Sequence, residues 1–330
     1  MATISDIAAK AGVSQALVSR VLNQKSGVGP ANRAKILAVM EELNYRPNTL
    51  ARSLVLQRTQ TIGVVMDTLC HPFFFQMIYG LQDAGERLGY NIVFCSGRSD
   101  AQIKSKYIDY FGSGRADGLI VYGSHLNDQS VLNDLAQRNT SFVLIEGTLP
   151  GVAVNNLLVD NFQGAQQATE HLICHGYRQI THFTGDMEYK VAQDRLRGYR
   201  AAMEEAGLPG AVVRTVFSEQ SGYEAMTSLI QSGNIPEAVF FGADRIAFGA
   251  IRAMGEHGLK TPEDIAIIGF DDDTPQDTEA QYPKLSTLRQ PLYQMGAESV
   301  ELLVQTIENP QREKVVKTYQ PELVLRDTCR

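Results

Sequence analysis

From Thr61 onward, short apolar runs alternate with longer amphipathic segments, and the alternation runs through two successive series. Residues 62–66, 91–95, 119–121 and 142–145 read as strands, separated by helical segments at 72–88, near 101–111 and near 129–138. After an extended stretch at 152–159 the second series runs helix 161–175, strand 180–183, helix 188–206, strand 212–217, helix 219–231, strand 238–241, helix 243–257 and strand 265–268. A parallel strand needs a crossover to reach its neighbour, so strictly alternating elements predict parallel sheets with helices on both faces. Two series predict two such lobes. The late helix 292–307 and the strands near 315–317 and 322–325 do not extend the second series. They are expected to return toward the first sheet, so that the chain crosses between lobes several times. The lobe boundaries are then about 61–160 plus 291–320 and about 161–290 plus 321–330. Ligands in such folds bind outside the carboxyl ends of the strands, here in the cleft between lobes.

The first sixty residues follow another pattern. Thr3 to Asn23 reads as two short helices joined by a tight turn: Ile4, Ile7, Ala8 and Ala11 share one face, Gly12 ends the first helix and Ser14 caps the second. Val18, Val21 and Leu22 form the apolar set of the second helix, leaving Gln15, Ala16, Ser19, Arg20 and Asn23 on its outer face. Short polar residues and one arginine suit the major groove, where base edges offer donors, acceptors and the thymine methyl. A third helix is expected over 30–44, with Pro30 in its first turn and Ile36, Leu37, Val39, Met40 and Leu43 packing inward. Together they make an all-α helix-turn-helix headpiece over residues 1–46. Asn48 then caps about two turns of helix within a hinge at 47–60, too short to be stable alone.

Charge supports this division. Residues 1–60 carry eight Lys/Arg against Asp6, Glu41 and Glu42, a net of +5, whereas the whole 330-residue chain is at −7. A basic head on an acidic body localises the polyanion-binding surface. The four cysteines (70, 95, 174, 329) have no metal-ligand spacing and fit buried thiols in a reducing compartment. With no long apolar run and no leader pattern, a cytoplasmic protein without membrane contact is expected. His171, Cys174 and His175 share a helix face but read as a helix end. No nucleophile elbow or phosphate loop occurs, and Gly112-Ser113-Gly114 is misplaced for a dinucleotide fingerprint, so no catalytic residues, metal or cofactor are expected.

The stretches Asp6-Ile7-Ala8, Ala11-Gly12-Val13-Ser14, Val18-Ser19-Arg20-Val21-Leu22-Asn23, Tyr45-Arg46-Pro47-Asn48 and Ala51-Arg52-Ser53-Leu54 resemble the lac repressor (LacI/GalR) family of transcription regulators. So do Ile62-Gly63-Val64-Val65, Asp117-Gly118-Leu119-Ile120, Val159-Asp160-Asn161, Ile267 to Asp272 and Pro321 to Arg326, in the family's order. The resemblance spans essentially the whole chain. It implies a two-lobed α/β core of the periplasmic-binding-protein type behind the headpiece, and operator contacts by Thr3, Ser14, Gln15, Ala16, Ser19, Arg20 and Asn23. Gln15 suits adenine, Arg20 guanine or phosphate, and Ala16 a thymine methyl. Leu54 resembles the family's minor-groove wedge, which kinks the duplex when two subunits insert it together. Leu17 stands where the family usually has threonine.

The resemblance further implies an effector pocket lined by Phe73, Phe74, Asp160, Arg195, Asp244 and Asp271. Carboxylates and an arginine serve sugar hydroxyls, and an aromatic face serves the C–H surface. Asp272 and Asp273 are expected in solvent. The family's usual Asn-Asp is replaced by Ala243-Asp244, and Arg245 adds a cation beside that turn, so an acidic sugar or sugar phosphate is one expectation. The sequence thus implies a homodimeric repressor that reads a pseudo-palindromic double-stranded operator and answers to a small sugar or sugar derivative. The alternatives are a transport-type soluble sugar-binding protein, or a regulator responding to a non-sugar ligand such as a nucleobase.

Overall fold

The computed structural model describes residues 2–22, 26–45, 58–123, 125–138, 140–147, 149–274 and 282–329. Asn23, Leu54 and the expected hinge helix lie outside the described residues. The chain forms two compact units, residues 1–59 and 60–330.

In the first unit, α1 (Ile4–Ala11), α2 (Gln15–Leu22) and α3 (Pro30–Glu42) enclose Ile7, Ala8, Ala11, Val18, Val21, Ile36 and Val39. The ends of α1 are set by local chemistry. Thr3 Oγ1 accepts from the Asp6 N–H at 3.3 Å while the Thr3 N–H donates to Asp6 Oδ2 at 2.8 Å, a reciprocal cap. Gly12 closes the helix at φ 62°, a conformation open to glycine without steric cost. Ser14 Oγ then accepts from the Leu17 N–H at 3.3 Å at the start of α2. Leu17 packs partly against the core. Leu37, expected inward, is half exposed: the inward face of α3 is Ile36, Val39, Met40 and Leu43, and Leu37 lies one residue round from it.

The strands of the second unit are β1 (Thr61–Met66), β2 (Asn91–Ser96), β3 (Gly118–Tyr122), β4 (Ser141–Ile145), β5 (Asn155–Val159), β6 (Ile180–Phe183), β7 (Ala211–Val213), β8 (Ala238–Phe241), β9 (Ala266–Asp271), β10 (Ser286–Arg289), β11 (Val316–Tyr319) and β12 (Glu322–Val324). Its helices are α4 (Phe75–Leu88), α5 (Ala101–Gly112), α6 (Gln129–Ala136), α7 (Asn161–Cys174), α8 (Lys190–Glu205), α9 (Glu219–Gln231), α10 (Asp244–Glu256) and α11 (Leu292–Glu308). One sheet has the order β11-β5-β4-β3-β1-β2 and is wholly parallel. The other has the order β12-β10-β9-β8-β6-β7, with only β12 antiparallel. The chain passes between sheets after β5, β10 and β11, so three crossings tie the lobes together.

Three expectations for this core need correction. The strand near 322–325, expected toward the first sheet, is β12 and pairs with β10 of the second. β10 was missed because Ser286-Thr287-Leu288-Arg289 contains no apolar run; its Ser286 and Thr287 are fully buried and are satisfied by hydrogen bonds instead. The strand expected over 212–217 ends at Val213, and the chain then turns so that Phe217 reaches the interlobe cavity.

Candidate functional site

A cavity of about 220 Å³ lies between the lobes, at the carboxyl ends of the strands. From the first lobe, Asp67 follows β1, Phe73 and Phe74 end a 3-10 turn (Pro72–Phe74), and Tyr122 ends β3. From the second, Tyr189 precedes α8, Arg195 projects from it, Ala243 and Arg245 open α10, and Asp271 ends β9. The first-lobe rings meet edge to face, Phe73 with Phe74 at 4.8 Å and Phe74 with Tyr122 at 5.2 Å.

Arg195 is buried and held on every side. Its Nε donates to Asn161 Oδ1 at 2.9 Å, an Nη donates to Gly242 O at 2.5 Å and lies 3.3 Å from Asp271 Oδ1, and the guanidinium sits 3.7 Å above the Phe270 ring. Asn161 in turn donates to Glu146 Oε2 at 2.9 Å, and the Val159 N–H donates to Glu146 Oε1. Burial pushes the Glu146 carboxyl up to about 7, against the pull of the Val159 N–H and Arg195. Asp271 is likewise pushed up to about 7 by burial, with Arg195 opposing, and accepts from Gln290 Nε2 at 2.7 Å. Its backbone φ of 120° is strained for a residue with a side chain. Arg195 is thereby fixed as a fork, with a carboxylate beside it.

The fully buried Lys104 lies 2.5 Å from both Asp67 and Asp128 and is shared between the two carboxylates. His71 Nδ1 accepts from the Phe73 N–H at 3.1 Å. Burial, followed by the nearby Arg245, pushes His71 down to about 4, so its ring is neutral with the proton on Nε2. A strap joins the lobes at the rim: the Leu126 N–H donates to Glu188 O at 2.9 Å, His125 and Tyr189 form an antiparallel bridge, and Tyr189 OH lies 2.6 Å from Ser99 Oγ.

Of the effector residues expected from sequence, Phe73, Phe74, Arg195 and Asp271 line the cavity. Asp160 does not: it caps α7, accepting from the Gln163 N–H at 3.0 Å and from Gln320 Nε2 at 3.1 Å, and its neighbour Asn161 faces Arg195 instead. Asp244 is also outside the lining. It is completely buried, accepting from Thr287 Oγ1 at 2.7 Å and from the Asp273 N–H at 2.9 Å, and braces the β9–β10 end. Asp272 and Asp273 are not solvated tips. Asp272 pairs with Arg289 and Arg326 at 2.6 and 2.5 Å, and the Asp273 side chain is 2% exposed beside His71. Sequence reasoning missed Asn161, Gln290, Tyr122 and Tyr189. Gln290 follows the unrecognised β10, and a glutamine or tyrosine carries no signal until its strand end is placed.

On the head, Ser14, Gln15, Ala16 and Arg20 are exposed and Ser19 is half-buried. Thr3 is engaged in capping α1. Gln15 Nε2 donates to Ser5 Oγ at 3.3 Å, which orients the amide on the outer face. The His171 and His175 rings lie 4.1 Å apart and tilted at the end of α7, and among the described residues no three metal-ligating side chains converge. No described helix is long and apolar enough to cross a membrane.

Residues 3–48 match the family of bacterial regulatory proteins of the lacI type, and residues 59–322 match the periplasmic binding proteins and sugar-binding domain of the LacI family. The HTH-type transcriptional repressor PurR of Pasteurella multocida is 33% identical over 335 residues, covering 100% of this chain and 99% of that protein. The ribose operon repressor of Escherichia coli is 34% identical over 315 residues, covering 94% of each. The crystal structure of the lac repressor dimer bound to operator and the anti-inducer ONPF superposes with a TM-score of 0.88 at 28% identity, over 99% of this chain and 98% of that one. With a helix-turn-helix head in front of a two-lobed core, and matches along its whole length, the chain belongs to the LacI family of bacterial regulatory proteins and is not an enzyme.

Proposed function

We propose that this regulator is a cytoplasmic repressor that binds a pseudo-palindromic operator as a homodimer, and that a monosaccharide-sized polyhydroxylated effector in the interlobe cavity sets its operator affinity. The observation that carries the effector reading is the Arg195–Asp271 pair at 3.3 Å on the cavity wall. A guanidinium fork beside a carboxylate supplies donors and acceptors at the spacing of neighbouring hydroxyls, while Phe73, Phe74 and Tyr122 supply apolar edges. A volume of about 220 Å³ falls below the ~300–1,000 Å³ of pockets for drug-sized ligands, which favours one sugar ring over two. The side chains of Gln15, Ala16 and Arg20 on the exposed face of α2 support base readout. Phe75 and Tyr79, 46% and 56% exposed on α4, offer an apolar face to a second copy. The cavity also joins two lobes that a rim strap can hold together or release, the kind of two-state element through which a ligand shifts a distant equilibrium.

Titration calorimetry of the full chain against neutral monosaccharides, acidic monosaccharides and purine bases tests the effector class. At least one monosaccharide is expected to bind, and Arg195→Met to abolish that binding. Binding of a purine base with no response to any monosaccharide overturns the reading.

A further inference from the structure

We propose that the effector carries an anionic group, a carboxylate or a phosphate, and that Arg245 receives it. This deepens the monosaccharide reading above and rests on it. Arg245 is the second residue of α10 and lines the cavity, next to Ala243, which caps that helix without any side-chain bond. Among the described residues no carboxylate forms an ion pair with Arg245, and its Nε is buried without a hydrogen-bond partner. Nearby carboxylates are committed elsewhere: Asp271 to Arg195 and Gln290, Asp272 to Arg289 and Arg326, Asp244 to Thr287 and the Asp273 N–H. Asp273 remains, with Glu219 close enough to act on it. Asp273 attracts Arg245 without pairing with it, its Oδ2 lies 3.6 Å from His71 Nδ1, and burial pushes its carboxyl up to about 6.

The other charges at the cavity already have partners. Asp67 shares Lys104 with Asp128, Asp271 pairs with Arg195, and His71 is held neutral. What remains is one guanidinium on the wall with no ion-pair partner among the described residues. A partly desolvated cation without a paired counter-ion is unfavourable, and a ligand anion offsets that cost. Guanidinium forks bind carboxylates and phosphates bidentately, and the first turn of α10, thirteen residues long, adds the positive end of its dipole at the same place. A neutral sugar offers Arg245 hydroxyl oxygens but no charge to match the guanidinium.

Calorimetry of the full chain with matched pairs tests this: D-glucose against D-glucuronate and D-glucose 6-phosphate, D-galactose against D-galacturonate, and D-ribose against D-ribose 5-phosphate. The acidic member of at least one pair is expected to bind about tenfold or more tighter than its parent, the margin of a charge-assisted bond. The uronate and phosphate arms decide which anion is meant. Arg245→Gln is expected to bring the pair within about threefold while the neutral parent still binds, and Arg245→Lys to retain part of the preference. Neutral sugars binding as tightly as their acids overturn the proposal and leave the monosaccharide reading standing. So does a preference that survives Arg245→Gln, or equal loss of both members in that variant. Binding by a purine base and by no sugar overturns both.

Discussion

Burial moves the titrating residues of this core in opposite directions, and the two groups differ in what they do for stability. His182 lies between Tyr199 and Phe240 at ring distances of 5.1 and 4.8 Å, with Nδ1 2.9 Å from Phe240 O. Burial pushes its pKa down to about 3, whereas an unfolded histidine titrates near ~6.5. Between those values the unfolded chain binds the extra proton, so stability falls as the pH drops below about 6.5, by about 2 kcal/mol at pH ~5. His182→Phe should remove that acid loss, and melting temperatures at several pH values check it. Asp271, pushed up to about 7, has the reverse sign: the folded state keeps a proton that the unfolded state gives up near ~4, so its contribution is full below that and is lost as the pH rises through about 7. Relative to Asp271→Asn, the wild type should therefore lose stability between pH ~4 and ~7 in the same measurement. Residues of this kind were only partly legible in sequence. Arg195 and Asp271 sit in family stretches, but whether a carboxylate faces a cavity, caps a helix like Asp160 or braces a strand end like Asp244 depends on contacts far apart in the chain.

At the scale of elements, the sequence marks what periodicity and capping encode and misses what tertiary contacts alone supply. The α1–Gly12–α2 unit, the bounds of α9 and most parallel strands follow from local signals. β10 is held by buried hydroxyls and by its neighbours β9 and β12, none of which a four-residue polar segment announces. Helices α4 and α11 cross where glycines let the backbones touch: a Cβ on Gly80 would stand 2.0 Å from Tyr293 O, and one on Gly296 would stand 2.3 Å from Met77 O. Gly80→Ala should force the helices apart and cost about 1–3 kcal/mol, read as the urea midpoint of the core. On α2, Gln15→Ala should weaken operator binding by about 1–3 kcal/mol and relax the preference at one base position, which selection from a randomised operator library would reveal. Uniform weakening across all sequences would instead place Gln15 on a phosphate.

The whole molecule joins a head of net positive charge to an acidic, ligand-binding core, and each part can be assayed separately. A fragment of residues 60–330 should bind the effector with the affinity of the full chain and show no operator binding, because the exposed face of α2 lies outside it. Within the core, the Tyr189–Ser99 and Leu126–Glu188 contacts span the cleft, so closing the lobes and filling the cavity favour each other. Thermodynamic coupling of the cavity to the operator is the expectation on which the proposed function rests. It is tested most directly by fluorescence anisotropy of an operator selected by the protein itself, titrated with and without the saccharide that calorimetry identifies. The wild type should change its operator affinity by about 5–150-fold on saturation with ligand, and Arg195→Met should bind the operator with no response to the ligand. An operator affinity that stays constant while the cavity is filled would contradict it.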